Sequence, residues 1–179
     1  ERKRPLQVVR VFTSAAMRCG DREVELSMYG DGPLRARLAQ EAAASSAAER
    51  ISLVGRVERD ELARAFARAD IYLQASTTES FGISALEARS AGLAVVALRT
   101  STSGIGDFIT DGVDGLLADD DAGLADALAS LLRDPGLLER IKEHNRAVAP
   151  LAEWGTVTEM NVSAYRRAVA LRPGRRGPV

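Results

Sequence analysis

Residues 71–98 read IYLQASTTESFGISALEARSAGLAVVAL. An apolar run at Ile71–Ala75 gives way to a polar loop. A helical stretch follows from about Gly82 to Ser90, and Leu93–Leu98 is a second apolar run. That second run has no polar alternation, as expected of a parallel strand covered on both faces. Strand, loop, helix and strand in so short a span make a βαβ unit.

The same alternation extends in both directions. Upstream, Leu6–Met17 carries Val8, Val11, Phe12 and Ala15 at helical spacing, Val24–Tyr29 reads as a strand, and Leu34 to about Ala48 is helical. Ile51–Val54 is a strand stopped by Gly55, and Asp60 is placed to cap a helix bearing Leu62, Ala65, Phe66 and Ala69. Downstream, a short helix is expected near Gly106–Thr110 and a strand at Gly115–Ala118. Helices are expected at Ala122–Arg133, Gly136–Val148 and Val157–Leu171. The class is α/β, a doubly wound, Rossmann-like parallel sheet. One domain is expected over residues 1–171, with 172–179 (RPGRRGPV from Arg172) a disordered basic tail. Such a domain ordinarily opens on a strand, whereas this chain opens on a charged turn and a helix. The first strand is therefore expected to be missing, and the chain to be a cut piece of a longer protein.

Composition narrows the function. Twenty-four Lys and Arg against 25 Asp and Glu leave a net charge of −1, with no general attraction to nucleic acid. No apolar run reaches the roughly 20 residues of a membrane helix. The single cysteine, Cys19, allows neither an internal disulfide nor a thiolate metal cage, and a reducing, cytoplasmic setting is the default expectation.

Doubly wound sheets bind ligands beyond the carboxyl ends of their strands. The loops at Gly30–Pro33, Gly55–Glu58, Ser76–Gly82 and Thr100–Asp107 should share that edge. The third delivers the chain into a helix at Gly82, whose first backbone N–H groups form an anion site with the helix dipole behind them. Glu79 stands just before it and Glu87 just inside, eight residues apart. Three readings are open. The pair could be a cap and a solvated face, a hydrolytic pair, or acceptors for sugar hydroxyls around a bound phosphate. The last describes a sugar nucleotide.

Other leads are weaker. Gly30-x-Gly32 and Gly104-x-Gly106 lack the third glycine of a dinucleotide fingerprint, and there is no Walker sequence. Asp119-Asp120-Asp121 reads as a helix cap, not a metal motif. His144, the only histidine, reads as surface, Cys19 as a small apolar helix-end residue and Trp154 as packing. Arg172, Arg175 and Arg176 read first as a solubilising tail, with contact to an anionic membrane as the other reading.

Residues 53–118 resemble the carboxyl-terminal half of the family 4 retaining glycosyltransferases of GT-B fold. The resemblance rests on LVGRVERDELARAFARADIYLQASTTESFGISALEARSAGLAVVAL and SGIGDFITDGVDGLL, with Glu79 and Glu87 on the family's E-x7-E pair. The RKRP opening, VELSMYGDGPLRARL, and Trp154 with Tyr165-Arg166 extend it over nearly the whole chain except the tail. It implies that Glu79 contacts the donor sugar, that Glu87 holds the ribose, and that Phe81, Gly82, Ile83 and Ser84 meet the sugar or diphosphate through backbone groups. The base would lie beside Arg56-Val57, and Lys3 would be the phosphate-binding lysine. The family's arginine partner to that lysine falls upstream of residue 1. A UDP-, GDP- or ADP-sugar is the implied substrate, with no metal and no other cofactor. The implied partner is an amino-terminal acceptor domain, so this chain alone is expected to be inactive. The full-length enzyme would be a membrane-peripheral transferase if the tail reads lipid. The rivals are a non-catalytic binding or assembly module, a sugar-nucleotide epimerase, and a phosphorylase. The last is disfavoured because neither Lys3 nor Lys142 sits in a loop suited to pyridoxal phosphate.

Overall fold

A computed structural model describes residues 2–20, 22–149 and 154–170. Seven helices and five strands alternate along them: α1 (Pro5–Ala16), β1 (Leu26–Tyr29), α2 (Arg35–Ala44), β2 (Ile51–Gly55), α3 (Arg59–Arg68), β3 (Ile71–Gln74), α4 (Ile83–Ser90), β4 (Ala94–Leu98), β5 (Gly115–Ala118), α5 (Asp121–Arg133), α6 (Pro135–Ala147) and α7 (Trp154–Ala170). All strand pairings are parallel, in two sets ordered β1-β2 and β3-β4-β5. Parallel strands alternating with helices are the pattern of a doubly wound α/β fold. The fold class is as expected. No ladder joins β1 to β3 among the described residues.

The two sets nevertheless share one core. Leu26 and Met28 of β1, Ile51 of β2, and Ile71 and Leu73 of β3 all pack against a cluster built from α1, β4 and α5. Helix α1 contributes Val8, Val11, Phe12 and Ala15 at helical spacing, and α5 contributes Leu124, Leu128 and Leu131. Each large side chain buried there contributes roughly 1.5–3 kcal/mol. β4 is buried along its whole length. Its Ala94, Val96 and Leu98 face that cluster, while Val95 and Ala97 face a second one with Ala85, Ile105, Phe108 and Ile109. The period-two split gives the sheet two covered faces.

Helix α1 also fixes the direction of both sets. At its start, the Arg4 guanidinium grips Asp121 through two bonds of 2.8 and 2.6 Å and reaches the Ala75 carbonyl at 3.4 Å, just past the carboxyl end of β3. At its other end, Ala16 and Met17 line a hollow with Ala47–Arg50, just before the amino end of β2. The carboxyl ends of β2 and β3 therefore lie at the same end of the molecule.

Several boundaries differ from the sequence reading. Helix α2 stops at Ala44, because the Ser45 hydroxyl is 2.6 Å from that of Thr13 and accepts from the Ala47 N–H at 3.0 Å; a 3₁₀ turn at Ala48–Arg50 completes the connection. Asp60 is not a cap. The N-cap of α3 is Glu58, and Asp60 stands in the first turn, where its charge meets the positive end of the helix. The short helix expected at 106–110 is a 3₁₀ turn at Gly104–Asp107. Asp120 does cap α5, accepting from the Gly123 N–H at 2.7 Å. The 172–179 tail lies outside the described residues, as does the Trp154 side chain.

Candidate functional site

The site begins where β3 ends. The polypeptide leaves Gln74, runs through residues 75–82 and enters α4 at Gly82, which is the N-cap with φ +79°. A Cβ built on Gly82 would stand 2.8 Å from Ile105 Cγ1, so glycine is demanded both by the left-handed backbone and by the contact. Its carbonyl already accepts the helical bonds of Ala85 and Leu86. The N–H groups of Gly82, Ile83 and Ser84 have no acceptor among the described residues. Three donors at the positive end of an eight-residue helix form an anion-binding feature.

A second loop holds the first in place. Thr100 and Thr102 both donate their hydroxyls to the Thr77 carbonyl, at 2.7 and 2.8 Å. Glu79 pairs by its backbone with this loop, its N–H donating to Thr102 O at 3.1 Å and its carbonyl accepting from Gly104 N–H at 3.0 Å. Phe81 stacks on Phe108 with ring centroids 5.4 Å apart. The Glu79 backbone is thus clamped while its side chain stays half-buried, and Glu87 is exposed. Neither carboxylate has an ion-pair or hydrogen-bond partner among the described residues.

Beneath them lies Tyr72. Its hydroxyl is 2.8 Å from Ser84 Oγ and 3.1 Å from Gln74 Oε1. Burial pushes the phenol above its ordinary value, the Ser84 hydrogen bond offsets part of this, and the negative charges of Glu79 and Glu87 raise it further. The charges of both carboxylates thus bear on the same half-buried phenol.

The remaining expected residues lie at the carboxyl ends of the strands. Lys3 is exposed beside Arg4, which is anchored at the carboxyl end of β3. Arg56 is exposed and Val57 half-buried just past Gly55, at the end of β2. Gly55 itself accepts from Gly30 N–H at 2.7 Å, closing the loop ends of β1 and β2 on each other. A hollow of 540 Å³ lined by Ala16, Met17, Gly20 and Ser45–Arg50 lies at the opposite end of the strands and includes none of these residues. Among the described residues no cluster of His, Cys, Asp and Glu is arranged for a metal, and no helix is long and apolar enough to cross a membrane.

The sequence reading missed Tyr72 and Gln74. The available signal was two polar side chains at i and i+2 in an otherwise apolar strand, which puts both on one face. It also misread His144, which is not a free surface residue. Its Nε2 lies 3.5 Å from Asp114 Oδ1, against a buried pair of Asp114 with Arg89.

Comparison with known proteins shows the family and the fold. The family model described as glycosyl transferases group 1 matches residues 1–148. A D-inositol 3-phosphate glycosyltransferase of Xylanimonas cellulosilytica is 35% identical over 121 residues, which is 66% of this chain and 28% of that protein. The phosphatidylinositol N-acetylglucosaminyltransferase gpi3 subunit of Schizosaccharomyces pombe is 29% identical over 145 residues, 80% of this chain and 31% of that one. The chain thus spans about 30% of these relatives. Among solved structures, Anabaena Alr3699/HepE in complex with UDP and glucose superposes with a TM-score of 0.74 at 20% identity, covering 94% of this chain and 45% of that one. The pneumococcal O-GlcNAc transferase GtfA in complex with UDP and GlcNAc gives 0.74 at 23% identity, over 94% of this chain and 33% of its own. At those identities the likeness is one of fold.

Proposed function

The chain belongs to the group 1 glycosyl transferases and matches the carboxyl-terminal, donor-binding half of their GT-B fold, and from that premise we propose that it binds a nucleoside-diphosphate sugar for retaining, metal-independent transfer. The observation that carries the reading is the set of unspent N–H donors of Gly82, Ile83 and Ser84 between two unpaired carboxylates, Glu79 and Glu87. The diphosphate takes the donors at the tip of α4, with Lys3 adding a compact positive charge as it departs. Glu79 orients the sugar, whose anomeric carbon passes through an oxocarbenium-like state. Glu87 accepts from the ribose hydroxyls, and the backbone at Phe81 and the edge at Arg56-Val57 receive the rest of the donor. UDP is the first nucleotide to test, because HepE and GtfA are described in complex with it; GDP and ADP are the alternatives. The acceptor is supplied outside this chain.

Calorimetric titration with UDP, GDP and ADP tests the reading. One of them binds, and Glu87→Ala weakens it by about ten- to a hundredfold, the loss expected for charge-assisted bonds of roughly 1.5–3 kcal/mol. Affinity unchanged by the substitution removes Glu87 from the site, and no binding of any nucleotide rejects the donor reading.

A further inference from the structure

Gln74 is the least explained residue near the site. It is 6% exposed, and its Nε2 has no hydrogen-bond partner. A buried amide with unspent donors is costly, and most such groups are paired. Gln74 and Tyr72 sit on the face of β3 that looks toward α4, and Ser84 is the second residue of that helix. One chain of contacts joins them, Ser84 Oγ to Tyr72 Oη at 2.8 Å and Tyr72 Oη to Gln74 Oε1 at 3.1 Å. Tyr72 has one proton to give, so a fully used chain runs from the Ser84 hydroxyl to the Tyr72 oxygen and from the Tyr72 hydroxyl to the Gln74 carbonyl. The Tyr72 ring is itself held against Phe66 of α3, with centroids 6.2 Å apart.

We propose that Ser84, Tyr72 and Gln74 form a positioning relay for the donor site. The relay fixes the first turn of α4 on the rigid end of β3, and so fixes the Gly82–Ser84 N–H donors and the two glutamates at the spacing the diphosphate sugar requires. None of the three side chains touches the reacting atoms. The buried amide is retained because its carbonyl ends the relay; leucine would fill the space but leave the Tyr72 hydroxyl only Ser84 Oγ to donate to, and the tie to β3 would be lost. This rests on the donor reading above, and it adds Tyr72 and Gln74, which lie outside the E-x7-E run.

The test has one arm that needs no ligand. Tyr72→Phe keeps the ring and its contact with Phe66, and Gln74→Leu keeps the volume. In both, backbone amide exchange at Glu87 and Ala88, whose bonds close the first turns of α4, speeds by about tenfold, while exchange in β4 is unchanged. The second arm titrates UDP. Each variant binds about five- to thirtyfold more weakly, the double variant is no worse than either single, and Ser84→Thr, which keeps a hydroxyl, retains affinity that Ser84→Ala loses. Unchanged exchange in α4 overturns the relay. So do losses of affinity that simply add in the double variant. If the unsubstituted chain binds no nucleotide while the exchange arm responds, the donor reading fails and the relay's link to a donor is overturned with it.

Discussion

At the scale of single residues, the most consequential pair lies outside the candidate site. Arg89 of α4 and Asp114, just before β5, have side chains only 4% and 6% exposed and meet at 2.6 Å. Asp114 also accepts from the Thr110 N–H at 2.7 Å, and Arg89 donates to the Val148 carbonyl at 3.1 Å. Asn145 of α6 ties in through the carbonyls of Leu93 and Asp114, at 2.7 and 2.8 Å. The pair therefore holds the far end of α4 to β5 and to the end of α6. Breaking a buried pair leaves a charge without its partner and costs about 3–5 kcal/mol, whereas replacing both members with apolar groups costs far less. Asp114→Ala should accordingly lower the urea midpoint more than the combined Arg89→Met and Asp114→Leu change does. A double variant as unstable as the single would show that shape, not charge, governs the site. Nothing in the local pattern reveals this network. Arg89 sits where a solvated arginine is expected at a helix end, and its partner is 25 positions away.

At the scale of elements, α4 and its entry loop were readable because each local signal agreed. A glycine follows a polar loop, small residues fill the helix face, and an unbroken apolar strand follows. The strands were placed to within about two residues for the same reason, since their apolar runs are bounded by turn residues. What failed were features set by side chains brought from elsewhere: the early stop of α2 by Ser45 meeting Thr13, and the tie from α4 to Tyr72 and Gln74. Gly82 is the hinge between the two kinds of evidence. Its turn was legible, but the contact that forbids a side chain comes from Ile105 in the neighbouring loop. Gly82→Ala should cost roughly 1–3 kcal/mol through backbone strain alone. It should also weaken nucleotide binding by more than tenfold, because the displaced N-cap carries the anion donors. Thermal melting and UDP titration of this variant separate the two effects. A variant that melts lower yet binds UDP as before would mean that the donors at Gly82–Ser84 are not the anion site.

At the scale of the whole molecule, what matters is that the candidate donor edge is open. The expected site residues stand at one end of two parallel strand sets, on an edge that is open to solvent in this chain: Phe81 and Ile83 are 42% and 64% exposed beside the helix tip. The curated relatives are about three times longer than the stretch they share with it. Group transfer gains much of its rate from holding two reactants in one geometry, with about 7–11 kcal/mol available from that source, and from excluding water as the site closes. An open donor edge can supply recognition but neither the acceptor nor the closure. The chain should therefore bind the nucleotide it recognises and still turn over no UDP-sugar. Incubating it with UDP-glucose and UDP-N-acetylglucosamine, and following release of UDP with and without simple polyol acceptors, checks this directly. Binding without UDP release is the expected result, because the donor determinants and the transfer determinants then reside on different parts of the polypeptide. Repeated turnover by these 179 residues would mean that the edge at Glu79, Gly82 and Lys3 completes the chemistry by itself, and the division of labour argued here would be wrong.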